Sequence, residues 1–209
     1  MTEEEATQWI EDRLSPSDET MSRLVRYVTM LLEESDRQNL IARSTRNQVW
    51  ARHIVDSAQL LPLTKHARKG QWLDLGSGPG LPGLIIAILS DWPVVLVESR
   101  TRRVEFLQHA VQQLSLGDQV SVIGTRLERV ESFDASVISA RAFAPLNRLL
   151  PVACRFSRAD TLWLLPKGRN AAKELDDARQ DWKLVFHVEH SLTDSDAGIL
   201  TGHVEGRRK

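Results

Sequence analysis

From Glu19 to Glu34 the apolar residues Met21, Leu24, Val25, Val28, Leu31 and Leu32 recur at steps of three and four, the spacing of an amphipathic helix. A second helix is predicted from a cap at Thr45 or Asn47 through Val49, Ile54, Ala58 and Leu61, ending before Pro62. At Gly70 the pattern changes to short apolar runs: Gln71 to Leu75, Val94 to Val97, Val120 to Ile123, Ala135 to Ser139 and Thr161 to Leu165. These read as buried strands, with Val185 to His190 as a further one. Helical stretches at 84–89, 102–114, 144–156 and 170–182 separate them. Such alternation predicts an α/β fold, a parallel sheet covered on both faces. The chain thus divides into a helical extension, residues 1–69, and a Rossmann-like domain, residues 70–209. The tail from Ser191, with Gly198, Gly202 and Gly206, reads as an edge strand followed by disorder.

Composition narrows the class. The chain has 209 residues and one cysteine, Cys154, so neither a disulfide framework nor a Cys-rich zinc site is available. No His-x-x-x-His or similar ligand spacing occurs, and no metal is expected. No apolar run approaches the roughly 18 residues of a membrane span. The acidic start, MTEEEATQWIEDR, lacks the pattern of a secretory signal, and the expected location is the reducing cytoplasm. Net charge is only −1, but residues 1–36 carry ten acids and three bases whereas 37–69 carry seven bases and one acid. Further basic groups are Arg100, Arg102 and Arg103, and the block 141–169 with Arg141, Arg148, Arg155, Arg158, Lys167 and Arg169. If these converge on one face they form a footprint for a polyanion; otherwise they are solvated helix faces.

The most informative segment is Asp74-Leu75-Gly76-Ser77-Gly78-Pro79-Gly80-Leu81-Pro82-Gly83, between a predicted strand and a predicted helix. Glycines there let the backbone turn sharply and approach a ligand, Pro82 suits a first helical turn, and the helix start favours an anionic group. Gly78-x-Gly80-x-x-Gly83, with Glu98 eighteen residues after Gly80, fits the dinucleotide fingerprint of a nicotinamide-dependent oxidoreductase. Read from Asp74, the same loop resembles the first motif of S-adenosylmethionine-dependent methyltransferases. In that reading Asp74 serves the cofactor's amino-acid end and Glu98, closing the next strand, accepts from the ribose hydroxyls. The methyltransferase reading is favoured by the position of Asp74, by Glu98, and by a chain too short for a separate substrate domain.

An ordered set of segments extends this resemblance: Asn39-Leu40, His53-Ile54-Val55-Asp56-Ser57, DLGSGPGLPG, Glu98-Ser99, Arg103, Phe106-Leu107, Ser139-Ala140-Arg141-Ala142 and Lys167-Gly168. From about Asn39 to Lys167 the chain resembles the bacterial glucose-inhibited division protein B family, the small-subunit ribosomal RNA guanine-N7 methyltransferases. The resemblance implies a class I methyltransferase fold, S-adenosylmethionine as cofactor, and methylation of N7 of guanine 527 in 16S ribosomal RNA. The partner it implies is 16S ribosomal RNA or the small ribosomal subunit, and a monomer is expected. It assigns Gly76, Gly78 and Leu81 to the cofactor loop, Leu127 and Glu128 to the stretch beside the adenine, and Arg141 to the mouth shared by cofactor and substrate. Asn39, His53, Arg126 and Lys167 match polar positions around an RNA cleft. Ile41 departs from the family's usual threonine and Glu98 from its common aspartate. The arginine often found entering the last strand is missing from Ala197-Gly198-Ile199-Leu200, leaving Arg207 or Arg208 to supply that contact.

The chemistry agrees with these letters. Cys154 has no catalytic motif around it, and the strand ending Ser139-Ala140-Arg141-Ala142-Phe143 lacks the Asn/Asp-Pro-Pro-aromatic segment that serves exocyclic amines. Guanine N7 offers a lone pair and no proton, so it needs no general base. Arg141 and Lys167 are candidates for positioning phosphate or O6. Phe143 can stack on a flipped base or pack under the sheet. Structural roles compete elsewhere: His53 as a junction filler, Asn39 as a helix end, Lys167-Gly168 as a turn, and Glu3 to Glu5 as solvated acids. A third reading of the whole chain is a noncatalytic RNA-binding assembly factor for the ribosome.

Overall fold

The computed structural model describes residues 1–208. Helix α1 spans Glu3–Leu14 and α2 Asp18–Ser35. The sequence reading passed over α1 because only Ala6 and Ile10 are buried along it. Its start carries a capping box, in which Thr2 accepts from the Glu5 N–H and the Glu5 carboxylate accepts from the Thr2 N–H. The single helix predicted from Thr45 or Asn47 to Leu61 is instead irregular. It comprises a 3-10 turn at Arg43–Gln48, a π-helical turn at Trp50–Val55, a short α3 at Asp56–Ala58 and a 3-10 turn at Leu61–Thr64. No side chain caps its start; Thr45 donates instead to the Ala42 carbonyl and meets His53.

The sheet then follows, with β1 at Gln71–Leu75, α4 at Gly83–Leu89, β2 at Val94–Val97, α5 at Thr101–Gln113, β3 at Val120–Ile123 and β4 at Ala135–Ser139. It continues through α6 at Leu146–Ala153, β5 at Ser157–Lys167, α7 at Ala171–Ala178, β6 at Trp182–His190 and β7 at Gly198–Arg207. Strand order is β3-β2-β1-β4-β5-β7-β6, with β7 antiparallel to both neighbours. The tail is therefore no disordered edge: β7 is an interior strand ordered through Arg207, and β6 is the edge. Trp182, expected at a helix end, begins β6.

Alternation along each strand sends side chains to two cores. Trp72, Leu96, Val137 and Leu164 pack with α4, α5 and the N-terminal helices, while Leu73, Leu75, Ile138 and Trp163 pack with α6 and α7. The N-terminal helices thus share one core with the sheet. The chain leaves β1 for β2 on one side and returns to β4 on the other. This reversal opens a crevice beyond the carboxyl ends of β1 and β4, where ligands of open α/β sheets bind.

Candidate cofactor and acceptor site

The glycine loop crosses that crevice. Gly76 and Gly78 have φ of +64° and +58°, a left-handed backbone that other residues resist. A Cβ on Gly78 would meet nothing closer than 3.7 Å, so the loop presents bare backbone there. At Gly76 a Cβ would lie 2.2 Å from Cδ2 of Phe143, which seats that ring directly on the loop. The loop is held from behind by Tyr27 of α2, whose buried hydroxyl donates to the Pro79 carbonyl at 3.0 Å. Burial raises the Tyr27 pKa far above the ordinary tyrosine value, and the group stays a neutral donor.

Two acids frame the loop, and their geometry differs from the sequence expectation. Asp74 lies on the α4 face of β1 with no exposed surface. One carboxylate oxygen accepts from the Ser139 hydroxyl at 2.7 Å and the other from the Gly83 N–H at 3.3 Å. Asp74 therefore ties β1 to β4 and to the start of α4, and its route to a cofactor's amino-acid end is through the loop it shapes. Burial pushes its pKa from 3.8 up to about 6, against the opposing Ser139, Ser77 and Gly83 hydrogen bonds and the Arg141 charge. Glu98, 5% exposed, accepts from the Gly78 N–H at 3.0 Å, Ser99 N–H at 2.7 Å and Arg100 N–H at 2.9 Å. A carboxylate has about four lone-pair directions, so one remains on Oε2, with the Arg103 guanidinium 3.7 Å away, beyond hydrogen-bond distance. The bare Gly78 backbone, the turn into α4 and the residual acceptor on Glu98 together fit an adenosine-type cofactor. Leu81 is buried at the loop's end; Leu127 is buried after β3 with exposed Glu128 beside it.

A second cluster stands beyond β4. Arg141 donates to Nδ1 of His53 at 3.3 Å and to Asp56 at 3.2 Å. Thr45 lies 2.8 Å from Nε2 of His53 and gives its own proton to the Ala42 carbonyl. His53 must therefore donate from Nε2 and accept at Nδ1, the neutral tautomer. Burial first, then the charges of Arg141 and Arg52, lower its pKa from 6.5 to about 3. This histidine orients Arg141 and is not a base at neutral pH. Asp56 also accepts from Thr193 at 3.0 Å, in the loop before β7. Lys167 is similarly engaged, with Nζ 2.8 Å from the Ala144 carbonyl and 2.9 Å from Glu174, whose carboxylate also accepts the Leu146 N–H at the start of α6.

The structure brings Arg141 and Lys167 to neighbouring strand ends, with His53 set against Arg141 from the π-helical turn. Asn39 is exposed, and its carbonyl receives a long 3.5 Å contact from Arg103. Arg126 stands apart: it follows β3, three strand spacings of about 4.8 Å from β4, or about 14 Å. Nor do the basic blocks converge as a whole. Arg158 pairs with Asp134 and Arg68 with Asp160 near the starts of β4 and β5, at the far end of the sheet, while Arg155 donates to the Leu127 carbonyl. Arg207 does not replace the missing arginine. Gly198 pairs with Lys167 at the site, whereas Arg207 pairs with Trp182 nine residues further, about 30 Å away, and Arg208 lies beyond it. Arg52, unforeseen from sequence, is the guanidinium at the loop entering β7, bonded to the Thr193 carbonyl and Asp194.

Sequence reasoning also missed Glu3. Expected to be solvated, its carboxylate accepts from the N–H groups of Trp50 and Ala51 at 3.0 and 2.9 Å, satisfying free donors at the start of the π-helical turn that carries His53. The Thr2-x-x-Glu5 capping box was the available signal for the helix, although not for the contact. A cavity of about 850 Å3 lined by Arg158, Trp182, His203 and Arg207 lies at the far end of the sheet, away from both clusters. Among the described residues no helix is long and apolar enough to cross a membrane, and no group of three metal-ligating side chains is found.

Comparison with known proteins bears on the fold and the family. A SAM-dependent methyltransferase from Aquifex aeolicus superposes with a TM-score of 0.55 at 12% identity, covering 71% of this chain and 89% of that one. A precorrin-6y C5,15-methyltransferase from Geobacter metallireducens gives 0.53 at 11% identity, covering 79% and 90%. These likenesses establish the fold of S-adenosylmethionine-dependent methyltransferases. Proteins named ribosomal RNA small subunit methyltransferase G from Sphingopyxis alaskensis and Novosphingobium aromaticivorans are 54% and 53% identical, over 96% and 98% of this chain and 85% and 89% of theirs. With the model of that family matching residues 20–199, the chain belongs to the rRNA small subunit methyltransferase G family.

Proposed function

We propose that this protein methylates N7 of guanine 527 in 16S ribosomal RNA, with S-adenosylmethionine as the methyl donor. The observation that carries the reading is a glycine loop bounded by Asp74 and Glu98 at the β1/β4 crevice, in a chain of this family. S-adenosylmethionine supplies a methyl group activated by a sulfonium. Gly76, Gly78, Leu81, Glu98, Leu127, Glu128 and Arg141 are the residues proposed to hold it, with Asp74 shaping the loop. Residues 1–69 form one wall of an RNA cleft, which Asn39, His53, Arg141 and Lys167 line or support. We take the enzyme to be a cytoplasmic monomer, in keeping with its lone thiol and a ribosomal substrate.

N7 has no proton to lose, and the cluster contains no free base: His53 is neutral with both nitrogens engaged. Methylation leaves positive charge on the base, which a naked cation nearby would oppose. Here Arg141 is paired with Asp56 and Lys167 with Glu174, so both can orient RNA while their charge is offset. A nicotinamide oxidoreductase and a noncatalytic assembly factor are not favoured, because the family's relatives are named as methyltransferases.

The test is incubation with methyl-labelled S-adenosylmethionine and small subunits or 16S RNA lacking the modification, followed by nucleoside mass spectrometry. Label in 7-methylguanosine at one site is expected. Label in another nucleoside refutes the acceptor, and none despite calorimetric binding of S-adenosylhomocysteine refutes the activity.

A further inference from the structure

Among the described residues the exposed large apolar side chains are Met1, Val25, Phe143, Val185, Val188 and Leu192, and only Phe143 is aromatic. It is also the one seated on the glycine loop. Its ring leaves 39% of the residue open, while the edge bearing Cδ2 and Cε2 rests on the bare Cα of Gly76. A phenylalanine two residues after Arg141 is thus left partly exposed, and the residue before it has a strained backbone. Ala142 has φ of +53°, a conformation that costs a non-glycine residue about 1 kcal/mol or more.

The segment carrying this ring is pinned on both sides. Arg141 is clamped by His53 and Asp56, and the Ala144 carbonyl is held by Lys167. Two of the polar residues singled out in the sequence therefore fix the flanks of Phe143. Strain and anchoring of this kind mark a ring displayed in advance for a ligand.

We propose that Phe143 is the platform on which the acceptor guanine stacks, and that its π face favours the charge the base acquires. This rests on the methylation reading above. In the transfer the N7 lone pair would form the new carbon–nitrogen bond as the sulfur–methyl bond of the donor breaks and a neutral thioether leaves, and with no proton lost the positive charge would pass to the guanine ring. An aromatic face attracts a cation more than a neutral ring, so the platform binds the transition state more tightly than the ground state. It supplies, without an anion, the electrostatic help that Arg141 and Lys167 do not.

The experiment replaces Phe143 with Leu, with Trp, and with pentafluorophenylalanine, which keeps the shape and withdraws the π charge. Turnover and KM for RNA, calorimetric affinity for S-adenosylhomocysteine, and the thermal unfolding midpoint are read for each. Base–aromatic stacking predicts a loss of about ten- to a hundredfold in kcat/KM for Phe143→Leu, with retention in Phe143→Trp. The pentafluoro variant should lose kcat more than it raises KM, and cofactor affinity should stay within about twofold of wild type throughout. Equal turnover in Phe143→Leu or in the pentafluoro protein overturns the proposal. So does a fall in S-adenosylhomocysteine affinity parallel to the fall in turnover, which would assign the ring to the cofactor. If Phe143→Leu does not fold, the isosteric pentafluoro variant decides alone. Absence of 7-methylguanosine with the wild-type enzyme would instead defeat the functional reading on which this one stands.

Discussion

Protonating His53 should loosen the acceptor side of the site, and the size of the effect follows from its bonds. In the neutral form Nδ1 accepts from Arg141 and Nε2 donates to Thr45. A proton on Nδ1 would face the guanidinium directly. The folded pKa is about 3 against 6.5 unperturbed, so the unfolded chain binds the proton first as pH falls. Stability from this group is complete above pH 6.5 and is lost progressively towards pH 3. Between pH 7 and pH 4.5 the linkage amounts to about 2.5 kcal/mol. Asp74 has the opposite sign in part of that range, so the wild-type curve alone would hide the effect. The informative quantity is the difference between wild type and His53→Gln, whose amide can accept from Arg141 and donate to Thr45 without titrating. Urea denaturation at half-unit pH steps should show wild type losing stability relative to the variant by about this amount. Parallel curves would mean that His53 is not held neutral by Arg141, and the orienting role assigned to it would fall.

Asp74→Asn should remove the pH trend attributed to the buried carboxyl. A group raised from 3.8 to about 6 gives its full stability below pH 3.8 and loses it as pH rises through 6, about 3 kcal/mol in all, and denaturation of the variant should lack that slope. Glu3→Ala should cost about 1 kcal/mol by freeing the Trp50 and Ala51 donors, and should lower RNA methylation while calorimetric affinity for S-adenosylhomocysteine is unchanged; full methylation would disconnect Glu3 from the site. Gly76→Val places a branched side chain at φ +64° against Phe143, so S-adenosylhomocysteine binding should be abolished while circular dichroism reports a folded chain. Arg141→Ala should lower methylation more than cofactor affinity, and wild-type turnover would remove it from the site.

Strands β1 to β4 were legible to the residue because each is a short apolar run bounded by Gly, Pro or a polar residue, with β2 and β4 buried on both faces and β3, at the sheet edge, only partly buried. The loop between Asp74 and Gly83 was legible for the same local reason: its backbone demands glycine. What the letters could not show was direction. Asp74 alternates onto the α4 face of β1, and whether that carboxylate meets a ligand or Ser139 depends on a partner 65 residues away. The Trp50–Val55 turn was read as ordinary helix because its apolar spacing is helical, yet Glu3, Thr45 and Arg141 hold it from three directions. Lys167 looked like a free cation for RNA because Glu174 and the Ala144 carbonyl meet it only in the folded chain. Arg207, close in sequence to the missing arginine, is carried to the opposite end of the sheet by the length of β7.

Asp56 joins parts of the chain made at very different times. It accepts from Arg141 and from Thr193, while Gln59 beside it accepts from the Leu192 N–H. During synthesis Tyr27, the glycine loop and Glu98 have all been made once residue 103 has emerged, and chains fold as they are made, N-terminal parts first. The junction at Asp56 waits for residue 193. A nascent chain, or one cut before the last hairpin, would carry both partners of Arg141 but leave Asp56 without the Thr193 bond that steadies it. The residues proposed to hold the methyl donor are all made once Arg141 has emerged, whereas the bond that steadies Asp56 on the acceptor side becomes available only near the end of synthesis.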